Sequence, residues 1–241
     1  MTHRGDLNGW WRFGLVVVGF VRRLLFTMRV KGAERVPARG PAIVAANHVS
    51  MLDGVALALV TGERRWRMTR FLVAAEFFAK PLVAWALRLY RQIPLERGRA
   101  DTGALDEAVG TIRAGALAGI FPEGTVNPDP ESGLQRGRSG VGRIALRSAA
   151  PVIPVGIWGT QARWPKTGLH LGRPWRPMVA IAYGEPIEPQ GDADSVDDVQ
   201  VFTDLVMTGI AKQVAEARAL ATAEGERSGQ RRWGDQPRRQ R

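Results

Sequence analysis

Strand-like and helix-like hydrophobic patterns alternate along most of the chain. Pro41–Ala46 (PAIVAA) is a short apolar run that predicts a strand, and Met51–Val60 follows as a helix. Phe71–Ala75 reads as a strand. Phe77–Tyr90 is helical from near Pro81, with Trp85 and Leu89 on its apolar face, and Gln92–Leu95 is a short strand. Leu105, Val109, Ile112 and Ala116 recur at helical spacing. Beyond them Gly119–Phe121 is strand, Val141–Ser148 helix, Val152–Trp158 (VIPVGIW) a buried strand, Met178–Tyr183 another, and Asp197–Ala221 a last helix. Strand–helix alternation of this kind predicts an α/β fold class, with a largely parallel or mixed sheet flanked by helices.

The two ends depart from that pattern. Between Arg12 and Arg22 lie nine uncharged residues, Phe13 to Val21. As a helix they extend about 14 Å, against roughly 30 Å of bilayer hydrocarbon, so they cannot span a membrane alone. Arg22 and Arg23 interrupt the run and no small-residue cleavage site follows, which argues against a signal peptide. Trp10 and Trp11 sit at one end, and Arg12, Arg22, Arg23, Arg29 and Lys31 surround the apolar stretch. Both residue types favour the headgroup zone, so residues 1–31 read as an N-terminal membrane-interfacial helical segment. The competing reading is a helix packed on the domain. Residues 32–221 form the α/β domain, and 222–241 read as a basic, disordered tail without apolar periodicity.

Composition narrows the function. The 241 residues are 45% apolar and 24% charged, as in an ordinary globular chain. Cysteine is absent, which removes disulfides, thiolate nucleophiles and thiolate metal sites. With only His3, His48 and His170, no histidine-rich metal site is expected. The net charge of +11 suits a polyanion, an anionic membrane surface or a phosphorylated substrate. A nucleic-acid partner is not expected, because no zinc pattern, aromatic RNP-like strand or basic recognition helix accompanies the charge.

The chemistry-bearing residues follow strand ends. Asn47-His48-Val49-Ser50-Met51-Leu52-Asp53 follows the first strand, Glu96-Arg97-Gly98-Arg99 the third, and Pro122-Glu123-Gly124-Thr125 the fourth. In open α/β sheets ligands bind beyond the carboxyl ends of strands, so these segments should converge. His48 and Asp53 are five apart, about 140° around a continuous helix, and could not face each other there. If Ser50 caps a helix, His48 lies in the preceding loop and can fold back onto Asp53, the arrangement of an oriented base. The same spacing also fits a capping box made by Ser50 and Asp53, with His48 merely completing a turn. No G-x-S-x-G elbow and no P-loop are present. A base acting on an external hydroxyl is therefore simpler than a covalent acyl-enzyme. Arg97, Arg99, Arg136 and Arg138 stand beside glycines that let backbone approach a ligand, and guanidinium suits phosphate. Arg99 and Arg138 read equally well as solvated surface cations.

Asn47-His48-x-x-x-x-Asp53 resembles the NHxxxxD motif of the glycerolipid acyltransferases, and Phe121-Pro122-Glu123-Gly124-Thr125 resembles their FPEGT motif. Ile93-Pro94-Leu95-Glu96-Arg97 is similar to the segment that ends in a phosphate-binding arginine. Val152-Ile153-Pro154-Val155 resembles the family's VIPV strand, and Arg136-Gly137 its basic-Gly pair. The likeness runs from about Gly32 to Ile187. Two departures lie in the acceptor region: Val126-Asn127 follow Thr125 where Arg-Ser is usual, and Arg136 stands where lysine is common.

The resemblance implies an O-acyltransferase of the 1-acylglycerol-3-phosphate type. It would move an acyl chain from a thioester (acyl-CoA or acyl carrier protein) to a lysophospholipid hydroxyl, giving phosphatidate. His48 would act as base and Asp53 would orient it. Arg97 would hold the acceptor phosphate, with Arg136 as second candidate, while Glu123, Gly124 and Thr125 shape the acceptor site. No cofactor and no metal are implied. Membrane lipids are the expected partners, and the cytoplasmic face of the cell membrane the expected location. Other readings are an acyltransferase for another lipid, such as a glycolipid, or a non-catalytic basic lipid- or nucleic-acid-binding protein.

Overall fold

The structure is a computed structural model that describes residues 9–95 and 102–234. Among the described residues, seven strands form one sheet: β1 (Thr27–Lys31), β2 (Ala42–Ala46), β3 (Thr69–Ala74), β4 (Ile93–Leu95), β5 (Leu117–Ile120), β6 (Val152–Trp158) and β7 (Met178–Tyr183). Their order is β1-β7-β6-β2-β5-β3-β4. The five strands from β6 to β4 are mutually parallel. β7 runs antiparallel to β6, and β1 parallel to β7, so the sheet is mixed. β2 lies at its centre, between β6 and β5.

Alternation along β2 divides the core. Ala42, Val44 and Ala46 face one side, with Leu57 and Val60 of α2 (Asp53–Arg65). Ile43 and Ala45 face the other. There they meet α4 (Thr102–Arg113) through Ile112, α5 (Gly140–Ser148) through Val141 and Ile144, and α6 (Val196–Gly234) through Phe202, Val206 and Ile210. A sheet buried on both faces accounts for the continuous apolar runs of its central strands. α6 approaches β6 so closely that a Cβ on Gly156 would lie 2.1 Å from the Gln213 backbone. α3 (Pro81–Leu89) connects β3 to β4 after a 3₁₀ turn at Ala75–Ala79.

α1 (Gly9–Leu25) packs outside α2 along a narrow stripe. Leu15 lies against Gly62, where a Cβ would come within 2.5 Å of it, and Arg22 pairs with Glu63 at 3.6 Å. Trp11 is buried edge-on against Tyr90 at 5.4 Å. On the opposite side Trp10, Phe13, Val16, Val17, Phe20 and Leu24 are exposed. The helix is thus packed on the domain and apolar toward solvent at once. Among the described residues, no helix is long and apolar enough to cross a membrane.

Three elements differ from the sequence pattern: the helix expected over Met51–Val60 starts at Asp53 and runs on to Arg65, and two larger differences lie toward the ends. Residues 27–31, assigned above to the N-terminal helical segment, are strand β1. Met28 and Val30 alternate with Arg29 and Lys31, a period of two that the neighbouring apolar helix masks. The last helix continues past Ala221 to Gly234, through a stretch whose three Arg and two Glu favour helix despite its three Gly. Residues 235–241 lie outside the described part of the chain.

Candidate active site

The site forms where the chain leaves β2. Ala46 is the last residue in ladder register with β6, opposite Val155. The side chain of Asn47 then extends that pairing: Nδ2 donates to the Ile157 carbonyl at 3.0 Å, and Oδ1 accepts the Ile157 N–H at 2.7 Å. Asn47 is buried, and a side-chain amide can satisfy both backbone groups at once. This clamp fixes where His48 begins.

Asp53 opens α2 and is wholly buried. Its Oδ2 accepts the N–H groups of Val49 at 2.7 Å and Ser50 at 2.8 Å, and lies 3.0 Å from His48 Nδ1. Its Oδ1 accepts the Thr160 hydroxyl at 2.6 Å. Ser50 is not the helix cap, since α2 begins at Asp53 after Leu52 and has no side-chain cap bond. The carboxylate instead folds the 48–53 turn onto itself through the Val49 and Ser50 N–H groups and orients the imidazole. The Ser50 hydroxyl accepts the Leu52 N–H at 3.1 Å and donates to the Trp164 carbonyl at 2.8 Å. A carboxylate can only accept, so the His48 proton sits on Nδ1, and Nε2 is left as the basic nitrogen of the neutral ring.

The loop after β5 forms the second wall. The Phe121 ring stacks on His48 with centroids 4.2 Å apart, and Phe71 lies behind Phe121 at 5.6 Å. Glu123 is buried and ties two loops together: Oε1 accepts the His48 N–H at 2.8 Å and Oε2 the Gln135 N–H at 2.9 Å. Burial pushes the Glu123 carboxyl above the usual range, and the two backbone donors partly offset this. The Asn127 N–H donates to the His48 carbonyl at 2.7 Å, closing the loop over the histidine backbone. Gly124 has φ +71°, a conformation that favours glycine, and a Cβ there would lie 2.5 Å from Arg138 Nε.

Of the residues singled out in the sequence, His48, Asp53 and Glu123 are joined directly. Gly124 and Thr125 continue the Glu123 loop, and Gln135 Nε2 reaches the Thr125 carbonyl at 3.4 Å. Arg136 is exposed beside Gln135, whereas the Arg138 side chain lies against Gly124. Arg97 lies outside the described residues. Thr160, Phe71 and Gln135 were not anticipated. Thr160 follows Gly159, the residue after β6, and nothing local distinguishes it from other small polar residues of loops.

Residues 27–158, more than half of the chain, match the acyltransferase family. The chain belongs to this acyltransferase family. The match runs from β1 to the end of β6 and includes Asn47, His48, Asp53 and Glu123. An uncharacterised protein of Mycobacterium tuberculosis is 30% identical over 195 residues, covering 67% of this acyltransferase chain and 52% of that protein. The chain thus spans about half the length of that mycobacterial relative. A 1-acyl-sn-glycerol-3-phosphate acyltransferase of Limnanthes alba is 26% identical over 205 residues, covering 82% of this chain and 69% of its own. Among solved structures, the 1-acyl-sn-glycerophosphate (LPA) acyltransferase of Thermotoga maritima superposes with a TM-score of 0.66 at 27% identity. That superposition covers 87% of this chain and 80% of the other.

Proposed function

We propose that this acyltransferase moves an acyl chain from a thioester, acyl-CoA or acyl carrier protein, to the free hydroxyl of 1-acylglycerol-3-phosphate, making phosphatidate. The observation that carries the reading is the 3.0 Å contact of His48 Nδ1 with a buried Asp53 whose oxygens are held by three further donors. An imidazole fixed in that way presents Nε2 to an acceptor hydroxyl. As the hydroxyl oxygen attacks the thioester carbonyl, its proton passes to Nε2. The tetrahedral intermediate then collapses, the C–S bond breaks, and the leaving thiolate takes the proton back from His48. Asp53 orients the ring and stabilises its protonated form. Arg97 grips the acceptor phosphate, with Arg136 as second candidate. Glu123, Gly124 and Thr125 shape the acceptor site. On this reading the enzyme works peripherally at the cytoplasmic face of the membrane, and the exposed apolar face of α1 with its flanking arginines supports that location.

Support for the acceptor comes from the relatives named for 1-acyl-sn-glycerol-3-phosphate. The deciding test is acyl transfer by the purified chain across a panel of lysophospholipid and glycolipid acceptors, with acyl-CoA and acyl carrier protein thioesters as donors. Turnover highest with 1-acylglycerol-3-phosphate and lost in His48→Ala is the expected result. Preference for an acceptor without phosphate would overturn the assignment.

A further inference from the structure

Beyond α1, the loop 164–176 between β6 and β7 is built unusually. Residues 169–176 are all exposed, yet their backbone is held from within by one side chain. Arg163 is buried, and its guanidinium donates to the carbonyls of Gly172 at 2.8 Å, Pro174 at 2.6 Å and Trp175 at 2.6 Å, with His170 at 3.5 Å. Four carbonyls of this stretch are thereby held from within, while Leu169, Leu171 and Trp175 are exposed. Leu171 is 68% exposed and Trp175 73%. Holding those carbonyls internally lowers the cost of carrying the apolar tips into a lipid interface, where unpaired backbone groups are penalised.

Charge and position specify the occupant. Lys166, Arg173 and Arg176 of this loop are exposed, and no Asp or Glu occurs between Glu131 and Glu185. Nor does one occur between Asp6 and Glu34, the stretch that carries α1. The loop joins the end of α1, where Arg176 Nη2 donates to the Phe26 carbonyl at 3.3 Å and the Thr27 N–H to Pro177 at 3.1 Å. At its other end Trp164 accepts from Ser50 and from the Met51 N–H at 3.0 Å, on the turn that carries His48. Apolar tips, cations and tryptophans without acids are complementary to an anionic bilayer surface.

We propose that the loop 164–176 is a second lipid-inserting element, which dips Leu171 and Trp175 into an anionic leaflet and brings the His48 turn to the membrane surface. The proposal rests on the membrane reading of α1, and the test separates the two. Because the chain contains no cysteine, Leu171→Cys, Val16→Cys and Val201→Cys each give one labelling position in the full chain. Each variant carries an environment-sensitive nitrobenzoxadiazole label and meets vesicles of phosphatidylcholine with phosphatidylglycerol. Labels at Leu171 and Val16 should shift to the blue and brighten severalfold, while Val201, exposed on α6, stays unchanged. A shift at Val16 without one at Leu171 overturns the loop assignment alone. No shift at either overturns the membrane reading as well. A shift at Leu171 that grows with protein concentration without vesicles assigns the surface to a second copy of the chain, and also overturns the proposal.

Discussion

Thr160 donates its hydroxyl to Oδ1 of Asp53 at 2.6 Å across 107 positions of sequence, joining the end of β6 to the start of α2. Both residues are buried, so the bond has no water to replace it. Thr160→Val keeps the shape and removes the donor. It should cost about 1.5–3 kcal/mol of stability, the range for a hydrogen bond to a charged group. Turnover should fall with it, because the carboxylate that orients His48 loses one of its anchors. Thr160→Ser should retain most of both. Denaturant midpoints and kcat of the two variants check this, and a loss in Thr160→Ser without one in Thr160→Val would place the effect in the methyl group instead.

His48 and Asp53 should separate by mutation. His48→Ala should reduce acyl transfer by about 10²–10⁴, the usual loss of a general base. It should leave stability nearly intact, because Asp53 keeps the Val49 and Ser50 donors. Asp53→Asn should lower activity and stability together, since the amide keeps one accepting oxygen but loses the charge that strengthens all four contacts and the second acceptor that faces Thr160. Thermal melting beside single-turnover rates distinguishes the two. A stable, inactive Asp53→Asn protein would show that the carboxylate's charge contributes nothing to stability.

Much of this was legible in the sequence for a physical reason. Val152–Trp158 and Met178–Tyr183 are buried apolar runs bounded by turns, and β6 and β7 have those same limits. β1 was hidden because its alternation abuts an apolar helix without a break. The His48–Asp53 pair was legible because five residues are compatible with a turn and incompatible with a shared helix face. Thr160 was not, because its partner is remote in sequence and a threonine after a glycine has no distinctive pattern. Glu123 was legible as a candidate for the site. That both its oxygens receive backbone N–H groups depends on the positions of the 48 and 135 loops, which only the fold brings together.

Glu123 also predicts a pH dependence. Burial raises its carboxyl pKa in the folded chain above the ordinary value of 4.5. The folded state therefore holds this proton at pH values where the unfolded chain has released it. Its contribution to stability is fully present below the ordinary value and is lost as pH rises through the raised one. The stability of the wild type relative to Glu123→Gln should decline from about pH 4.5 upward, and then level off. Denaturant unfolding of both proteins across that range removes the common contribution of other carboxylates. A difference that does not vary with pH would contradict the raised value.

α1 presents two faces, and substitutions on each should have different consequences. Phe13 and Phe20 are 61% and 65% exposed, on the side away from α2. Burying such a side chain fully is worth about 1.5–3 kcal/mol, and 1.4 kcal/mol is a factor of ten. Phe13→Ser with Phe20→Ser should therefore weaken partition to anionic vesicles by about tenfold or more, with the melting temperature unchanged. Salt should not release the wild type completely, because the apolar contribution is not screened. Leu15→Ala should do the reverse, lowering stability through the lost contact at Gly62 while leaving partition nearly intact. Any deletion that tests the helix must end before Thr27, since removing β1 uncovers the edge of β7 and would confuse a folding defect with a binding defect. Vesicle sedimentation and thermal melting on the same preparations read both effects. If the double serine variant pellets like the wild type, α1 does not hold the protein to lipid, and its outward apolar stripe serves another contact.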